Sequence, residues 1–408
     1  MTFRTDRMSS AQLQRTQQAH GEPSRRATPR GVIMESKSIG IVGAGIVGLA
    51  YATAAADRGH RVTLFERDRA ASSASVRNFG MLWTIGQALT PSYGTALRSL
   101  ARWRRIATET DLWLNPCGSV HVAHEDDEME VLQQFHAAAA AGGIDCQLLE
   151  SADVLKCSPL ANPAGLRGGL WSPTETGVDP RTSVARIASH LSAARGVDIH
   201  FDTPVTEAST ERVRTADGRI HRFDRIIVCG GSDVESIYPG LLREQGIRRC
   251  KLQMLATAPQ SVPMGPFLAG GLTLRHYGNF AACPALAAVK RRVAGEHPEL
   301  DRFGIHVMIA QSRDGRLILG DSHEYDDDIS PFDKAEIDDL ILRELQRIAK
   351  LPAWSITERW HGIYGKHPSS AIVRTEPEPG VHVRVGTGGA GMTMSFGLAE
   401  EDWATWDR

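Results

Sequence analysis

Near the C-terminus residues 360–370 read WHGIYGKHPSS, which crowds Trp360, His361, Tyr364, Lys366 and His367 into one short stretch. A phenol hydroxyl and a lysine ammonium are compact donors. They suit a tetrahedral oxyanion better than the planar carboxylate that a guanidinium fork grips. A second set, Arg275-His276-Tyr277 within LTLRHYGNFAAC (272–283), reads as part of a strand and offers more donors. Tyr364, Arg275, His276, Tyr277 and Lys366 are therefore the candidate catalytic and substrate-binding residues. The acidic run EYDDD at 324–328 lacks the spacing of an ordered cation loop and reads as a solvated turn. The six cysteines (117, 146, 157, 229, 250 and 283) form no CxxC pair. That pattern predicts reduced thiols in a cytoplasmic protein, and no metal is expected.

Such groups need elements to hold them, and the clearest is SIGIVGAGIVGLAYATAAADRGHRVTLFER at 38–67. An apolar strand enters glycines, an alanine-rich helix follows, and a second strand ends at Glu66-Arg67. Gly43 allows the tight turn, Gly45 lets backbone approach a pyrophosphate, and Gly48 permits close helix–strand packing. Ile46 and Val47 open the helix, whose N-terminal N–H groups and dipole favour phosphate. Glu66 stands where an acid takes a ribose hydroxyl pair and repels a 2′-phosphate. No second GxGxxG follows, so a separate nicotinamide domain is not expected. Residues 196–231 read as a strand, a hairpin around Asp217-Gly218, and a buried strand ending at Gly230-Gly231. A helix pattern near 128–141, alternating runs over 246–354 and the helix-like DKAEIDDLILRELQRIAK predict an antiparallel sheet with flanking helices.

The chain has 408 residues, 39 of them glycine, and a formal charge of −2. It is long enough for two domains, and its charge gives no reason to expect nucleic acid as partner. No apolar run approaches the ~20 residues of a membrane-spanning helix. The first 34 residues carry six arginines against Asp6 and Glu22, without apolar periodicity, and read as a disordered extension that the domain reading carries to residue 37.

The N-terminal βαβ, GVDP at 177–180 opening a helix, the strand RIIVCGG at 225–231 and the closing GTGGAGMTMSFG together resemble the D-amino-acid oxidase, glycine oxidase and sarcosine oxidase superfamily of FAD enzymes. Within it, SVRNFGMLWTIGQ (75–87) and LTLRHYGNF resemble a subgroup associated with aminophosphonate catabolism. The resemblance implies an α/β fold: a Rossmann-like FAD-binding domain (38–115, 171–245 and 355–408) and an inserted α+β substrate domain (116–170 and 246–354) built on an antiparallel sheet.

It also implies non-covalent FAD, because ASSASVRNFG offers no histidine for attachment. Gly43, Gly45, Gly48 and Glu66 would take the ADP half, with Val205 against adenine and Gly230 beside it. Asn78, Phe79, Gly80 and Met81 would pass the isoalloxazine, and Gly388, Gly389, Gly391, Met392 and Thr393 would close over its pyrimidine side. Members acting on amino acids carry a pattern like W-x-G-x-R-P, whose arginine pairs with the substrate carboxylate; here Trp360-x-Gly362 is followed by Tyr364. The implied activity is oxidation of a small anionic amine, an aminophosphonate or its N-methyl derivative, by hydride transfer to flavin N5. The imine then hydrolyses to an aldehyde and an amine, and O2 or a quinone reoxidises the flavin. The alternatives are an oxidase or dehydrogenase of glycine, sarcosine or a D-amino acid using Arg275, and a non-catalytic flavin-binding or tRNA-modification partner.

Overall fold

The structure is a computed structural model that describes residues 35–233, 235–326 and 329–408. The arginine-rich stretch 1–34 lies outside the described residues, and Ser36–Arg408 form one compact unit.

The expected opening is present as β1 (Ser38–Val42), α1 (Ile46–Asp57) and β2 (Arg61–Phe65), with β1 and β2 parallel and Ile39 beside Val62. Helix α1 is apolar almost all round because it is covered on both sides. Its small side chains lie under the sheet, and its far face meets the helices Pro180–Arg195 and Gly391–Trp406. The sheet has six strands in the order Val373–Glu378, Val381–Val385, Arg225–Val228, β1, β2, Asp198–His200. All neighbours are parallel except the first pair. The strand Arg225–Val228 therefore lies beside β1, although more than 150 residues separate them. A three-stranded antiparallel sheet, Val205–Ser209, Arg212–Thr215 and Ile220–Arg222, carries the expected turn at Asp217-Gly218.

A larger, nine-stranded sheet carries the candidate substrate residues. Its centre is the ten-residue strand Arg248–Thr257, which pairs antiparallel with Ile356–Lys366 on one side and with Leu317–Gly320 and Glu324–Asp326 on the other. The sequence reading placed 355 onward with the nucleotide half, but Ile356–Lys366 belongs to this sheet. Alternation explains the difference, because Trp360, Gly362, Tyr364 and Lys366 share one face and place Tyr364 opposite Cys250.

A second departure concerns 272–280. No strand forms there; Gly271–Arg275 and Gly278–Phe280 are 3-10 turns. The Thr273 hydroxyl donates to the Gly270 carbonyl at 2.7 Å, satisfying the backbone locally in place of a ladder. The helices Asp126–Ala141 and Ala335–Ile348 form as their patterns predict, and with Leu286–Glu296 they pack onto this sheet's core.

Candidate active site

The glycine turn owes its shape to contacts that exclude side chains. Gly43 has φ +98°, and a Cβ there would stand 2.5 Å from the Cys229 carbonyl oxygen. A Cβ on Gly48 would run into the Gly43 carbonyl, so α1 starts hard against the turn. The turn is fixed to its neighbours by Gly43 N donating to Phe65 O and Cys229 N donating to Val42 O, both at 2.8 Å. Ile46 N is already held by Ser75 Oγ at 3.0 Å, and Val47 is half-buried behind it. Glu66 follows β2 directly with both oxygens oriented, accepting from Ala44 N at 2.7 Å and from Asp68 N at 3.1 Å. Each oxygen keeps a second lone pair for a ribose hydroxyl. A cavity of about 450 Å³ opens beside them, lined by Gly43, Gly45, Glu66, Arg67, Val205 and Gly230 among others. Arg67 is tied to Asp233 at 2.8 Å. Backbone at the glycines, an oriented acid and an apolar slot fit the ADP half of FAD.

The segment expected beside the flavin ring is braced by its own side chains. Asn78 Nδ2 donates to Ala74 O and Ser75 O at 2.9 and 3.0 Å, and its Oδ1 accepts from Gly80 N at 2.8 Å. Gly80 has φ +73° and abuts the Val178 carbonyl, so only glycine fits. Phe79 reaches the large sheet, where a Cβ on Gly320 would stand 3.2 Å from its ring, and Met81 is buried in a two-residue strand. Toward the C-terminus Gly388–Ala390 is a 3-10 turn and Gly391 opens the last helix. Met392 O accepts from Trp103 Nε1 at 2.9 Å, and Thr393 Oγ1 accepts from Trp83 N at 2.8 Å. These two residues therefore anchor the helix by polar bonds to the scaffold.

Tyr364 and Lys366 meet this glycine turn. A Cβ on Gly389 would stand 3.6 Å from Tyr364 Oη, and one on Gly388 would stand 3.5 Å from Lys366 Cγ. Tyr364 is buried, and desolvation, followed by neighbouring Cys250, holds its pKa well above the ordinary tyrosine value, so it stays a donor. Burial lifts the Cys250 thiol to about 12. Lys366 Nζ donates to Tyr325 Oη at 2.9 Å, and burial lowers its pKa. Tyr277 Oη donates to the Met308 thioether Sδ at 3.2 Å. The His276 ring stacks on His306 with centroids 4.1 Å apart and lies 4.2 Å from His323, and burial brings its pKa down to about 3.

The structure thus gathers Tyr364, Lys366, His276 and Tyr277 into one region, linked through His323, whose ring centroid is 6.3 Å from that of Tyr364. Arg275 is the exception. Its guanidinium pairs with Asp301 and donates to Ile305 O at 3.1 Å, so its charge is matched within the scaffold although its Nε has no partner. The other residues of 360–370 point elsewhere. His361 Nδ1 lies 2.8 Å from Asp333 Oδ1 on the other face of the strand, and His367 Nδ1 accepts from Ser369 N and Ser370 N. Trp360 Nε1 donates to Arg77 O at 3.4 Å, with Arg181 over its ring. Sequence reading missed His306, Asp321, His323 and Tyr325. The available signal was a histidine interrupting the apolar run of GIHVMIAQ and the polar residues that follow Gly320.

Comparison with known proteins agrees with this architecture. Residues 38–401 match the family described as DAO, FAD dependent oxidoreductase. The tRNA 5-methylaminomethyl-2-thiouridine biosynthesis bifunctional protein of Chromohalobacter salexigens is 28% identical over 50% of this chain and 30% of its own length. Glycine oxidase of Geobacillus kaustophilus is 26% identical over 48% of this chain and 54% of its own. The matched segments thus span about half or less of these curated relatives. The crystal structure of the Geobacillus kaustophilus glycine oxidase superposes with TM-score 0.72 at 18% identity, covering 91% of this chain and 95% of that one. L-α-glycerophosphate oxidase from Mycoplasma pneumoniae, a structure with FAD bound, gives TM-score 0.71 at 17% identity, covering 91% and 96%. With the nucleotide cradle in place and the match running through nearly all of Ser36–Arg408, the chain belongs to the DAO family of FAD-dependent oxidoreductases.

Proposed function

We propose that this protein oxidises a small anionic amine, an aminophosphonate or its N-methyl derivative, to an imine that water converts to an aldehyde and a free amine. The observation that carries this reading is the identity and place of Tyr364. A buried phenol, with Lys366 two residues on, stands against the Gly388-Gly389 turn where related amino-acid oxidases would present an arginine fork. A phenol and an ammonium are single-point donors, and they match oxygens arranged tetrahedrally better than a planar carboxylate.

FAD, when bound, supplies the acceptor for the two electrons leaving the amine carbon. The chain's own residues prepare the amine. Tyr364 Oη donates to the anionic end and fixes its orientation, and Lys366, tethered to Tyr325, adds positive potential. A cationic, desolvated surrounding favours the neutral amine, which is the form that can be oxidised. No side chain need act as a strong base, because orientation carries the rate. The glycine, sarcosine and D-amino-acid reading needs a free guanidinium, and the pairing of Arg275 with Asp301 weighs against it. The electron acceptor is O2 or a quinone, and the cytoplasm is the expected compartment.

Product analysis tests this reading. Incubation of the flavin-loaded protein with 2-aminoethylphosphonate should release aldehyde and ammonia in equal amounts, both trapped and quantified. Aldehyde from glycine or sarcosine, with none from the phosphonate, would contradict it.

A further inference from the structure

Three histidines far apart in sequence converge beside the large sheet. His276 follows the 3-10 turn Gly271–Arg275, His306 precedes the strand Met308–Gln311, and His323 lies beyond Leu317–Gly320. Backbone pairing holds them in place. Asp321 N donates to His306 O at 2.8 Å, His306 N to Asp321 O at 3.2 Å, His323 N to Phe303 O at 2.8 Å and His276 N to Thr273 O at 2.9 Å. Their ring centroids stand 4.1, 4.2 and 4.6 Å apart, and one ligand nitrogen from each lies within 4.8 Å of the other two.

The cluster is unsatisfied as it stands. His323 Nδ1 is buried without a hydrogen-bond partner, and His306 Nδ1 and Asp321 Oδ1, buried 3.2 Å apart, face each other without an aligned hydrogen bond. A buried polar atom without a well-aligned partner is costly, so such atoms gathered in one place are unusual for a stack serving only as core. We propose that His276, His306 and His323 form a binding site for a divalent transition-metal ion of the Zn²⁺ and Co²⁺ class.

Three imidazole nitrogens leave a fourth position open to water or an oxyanion, the arrangement of zinc sites that are not purely structural. A tetrahedral ion with ~2.0–2.1 Å bonds needs its ligand nitrogens about 3.4 Å apart, which small ring rotations supply. Asp321 Oδ1 lies 3.2 Å from His306 Nδ1, placed as the carboxylate behind a ligating histidine that turns its Nε2 toward the ion. Burial keeps all three rings neutral, which leaves their lone pairs free for ligation. Two cationic side chains act on the cluster. Arg275 is compensated by Asp301, and Lys366 opposes a dication with its like charge. The proposal goes beyond the amine-oxidation reading and does not depend on it.

The flavin-loaded protein, stripped with EDTA and dialysed, is titrated with Zn²⁺ in a calorimeter, and its metal content is then measured by mass spectrometry. One ion per chain is expected. His306→Asn and His323→Asn should each weaken binding at least tenfold, and Lys366→Met should strengthen it. His121→Phe, a buried histidine outside the cluster, should leave stoichiometry unchanged. Should a variant of the two most buried ligands fail to fold, His276→Gln carries the same expectation, with the flavin spectrum as the folding control. Absence of binding at micromolar Zn²⁺, or binding insensitive to all three histidines, overturns the site. Metal binding without turnover of any amine would leave the site standing and fail only the proposed reaction.

Discussion

In the proposed reaction Tyr364 is the residue that would set the substrate class. Its hydroxyl stays protonated because burial disfavours the phenolate, so it can only donate to an anion. Removing it with Tyr364→Phe should raise KM for the anionic amine about tenfold, corresponding to ~1.4 kcal/mol, with FAD content unchanged. Steady-state kinetics check this, and a KM equal to the parent's would make the tyrosine a packing residue. Arg275 serves as the contrast. Arg275→Met should leave KM within twofold, yet lower stability by roughly 1–3 kcal/mol, because the Ile305 carbonyl loses its donor inside the fold. A large KM effect there would return the anion site to Arg275.

At the scale of elements, the parts that follow from local rules were legible in the sequence. The strand–turn–helix at 38–67 announces itself because Gly43 and Gly48 are required by contacts with nearby backbone, and the alternation and helical periodicity of 246–354 identify most of its elements. What stayed hidden depends on partners distant in the chain. Leu272–Arg275 alternates like a strand but becomes a turn because Thr273 satisfies the Gly270 carbonyl. The strand Ile356–Lys366 joins the large sheet through Arg248–Thr257, a pairing no local pattern announces. The histidine cluster draws on residues 276, 306 and 323 and has no motif spacing at all. The legible turn gives its own prediction. Gly45 lines the nucleotide cavity, and Gly45→Val would put a branched side chain where the pyrophosphate must meet backbone. The variant should purify without the visible flavin absorption of the parent; full flavin occupancy would reduce the motif to a structural turn.

For the molecule as a whole, buried neutral histidines tie stability to pH. His121 is 0% exposed between Trp83 and Phe280, neither ring nitrogen has a partner, and burial brings its pKa down to about 3. In the unfolded chain a histidine binds its proton below about 6.5. Between those values the unfolded state holds the extra proton, so stability is full above neutrality and falls as pH drops. The loss is about 2 kcal/mol from this residue between pH 8 and pH 5. Urea unfolding at several pH values should show that acid limb, and His121→Phe should flatten it by that amount; an unchanged limb would place the effect elsewhere. No described helix is long and apolar enough to cross a membrane. The central claim is that the FAD held by this chain is reduced by a small anionic amine. Mixed anaerobically with 2-aminoethylphosphonate or its N-methyl derivative, the flavin-loaded protein should lose its visible absorption at substrate concentrations where glycine and sarcosine leave it intact. Bleaching by glycine or sarcosine, with the phosphonates inert, would contradict the account.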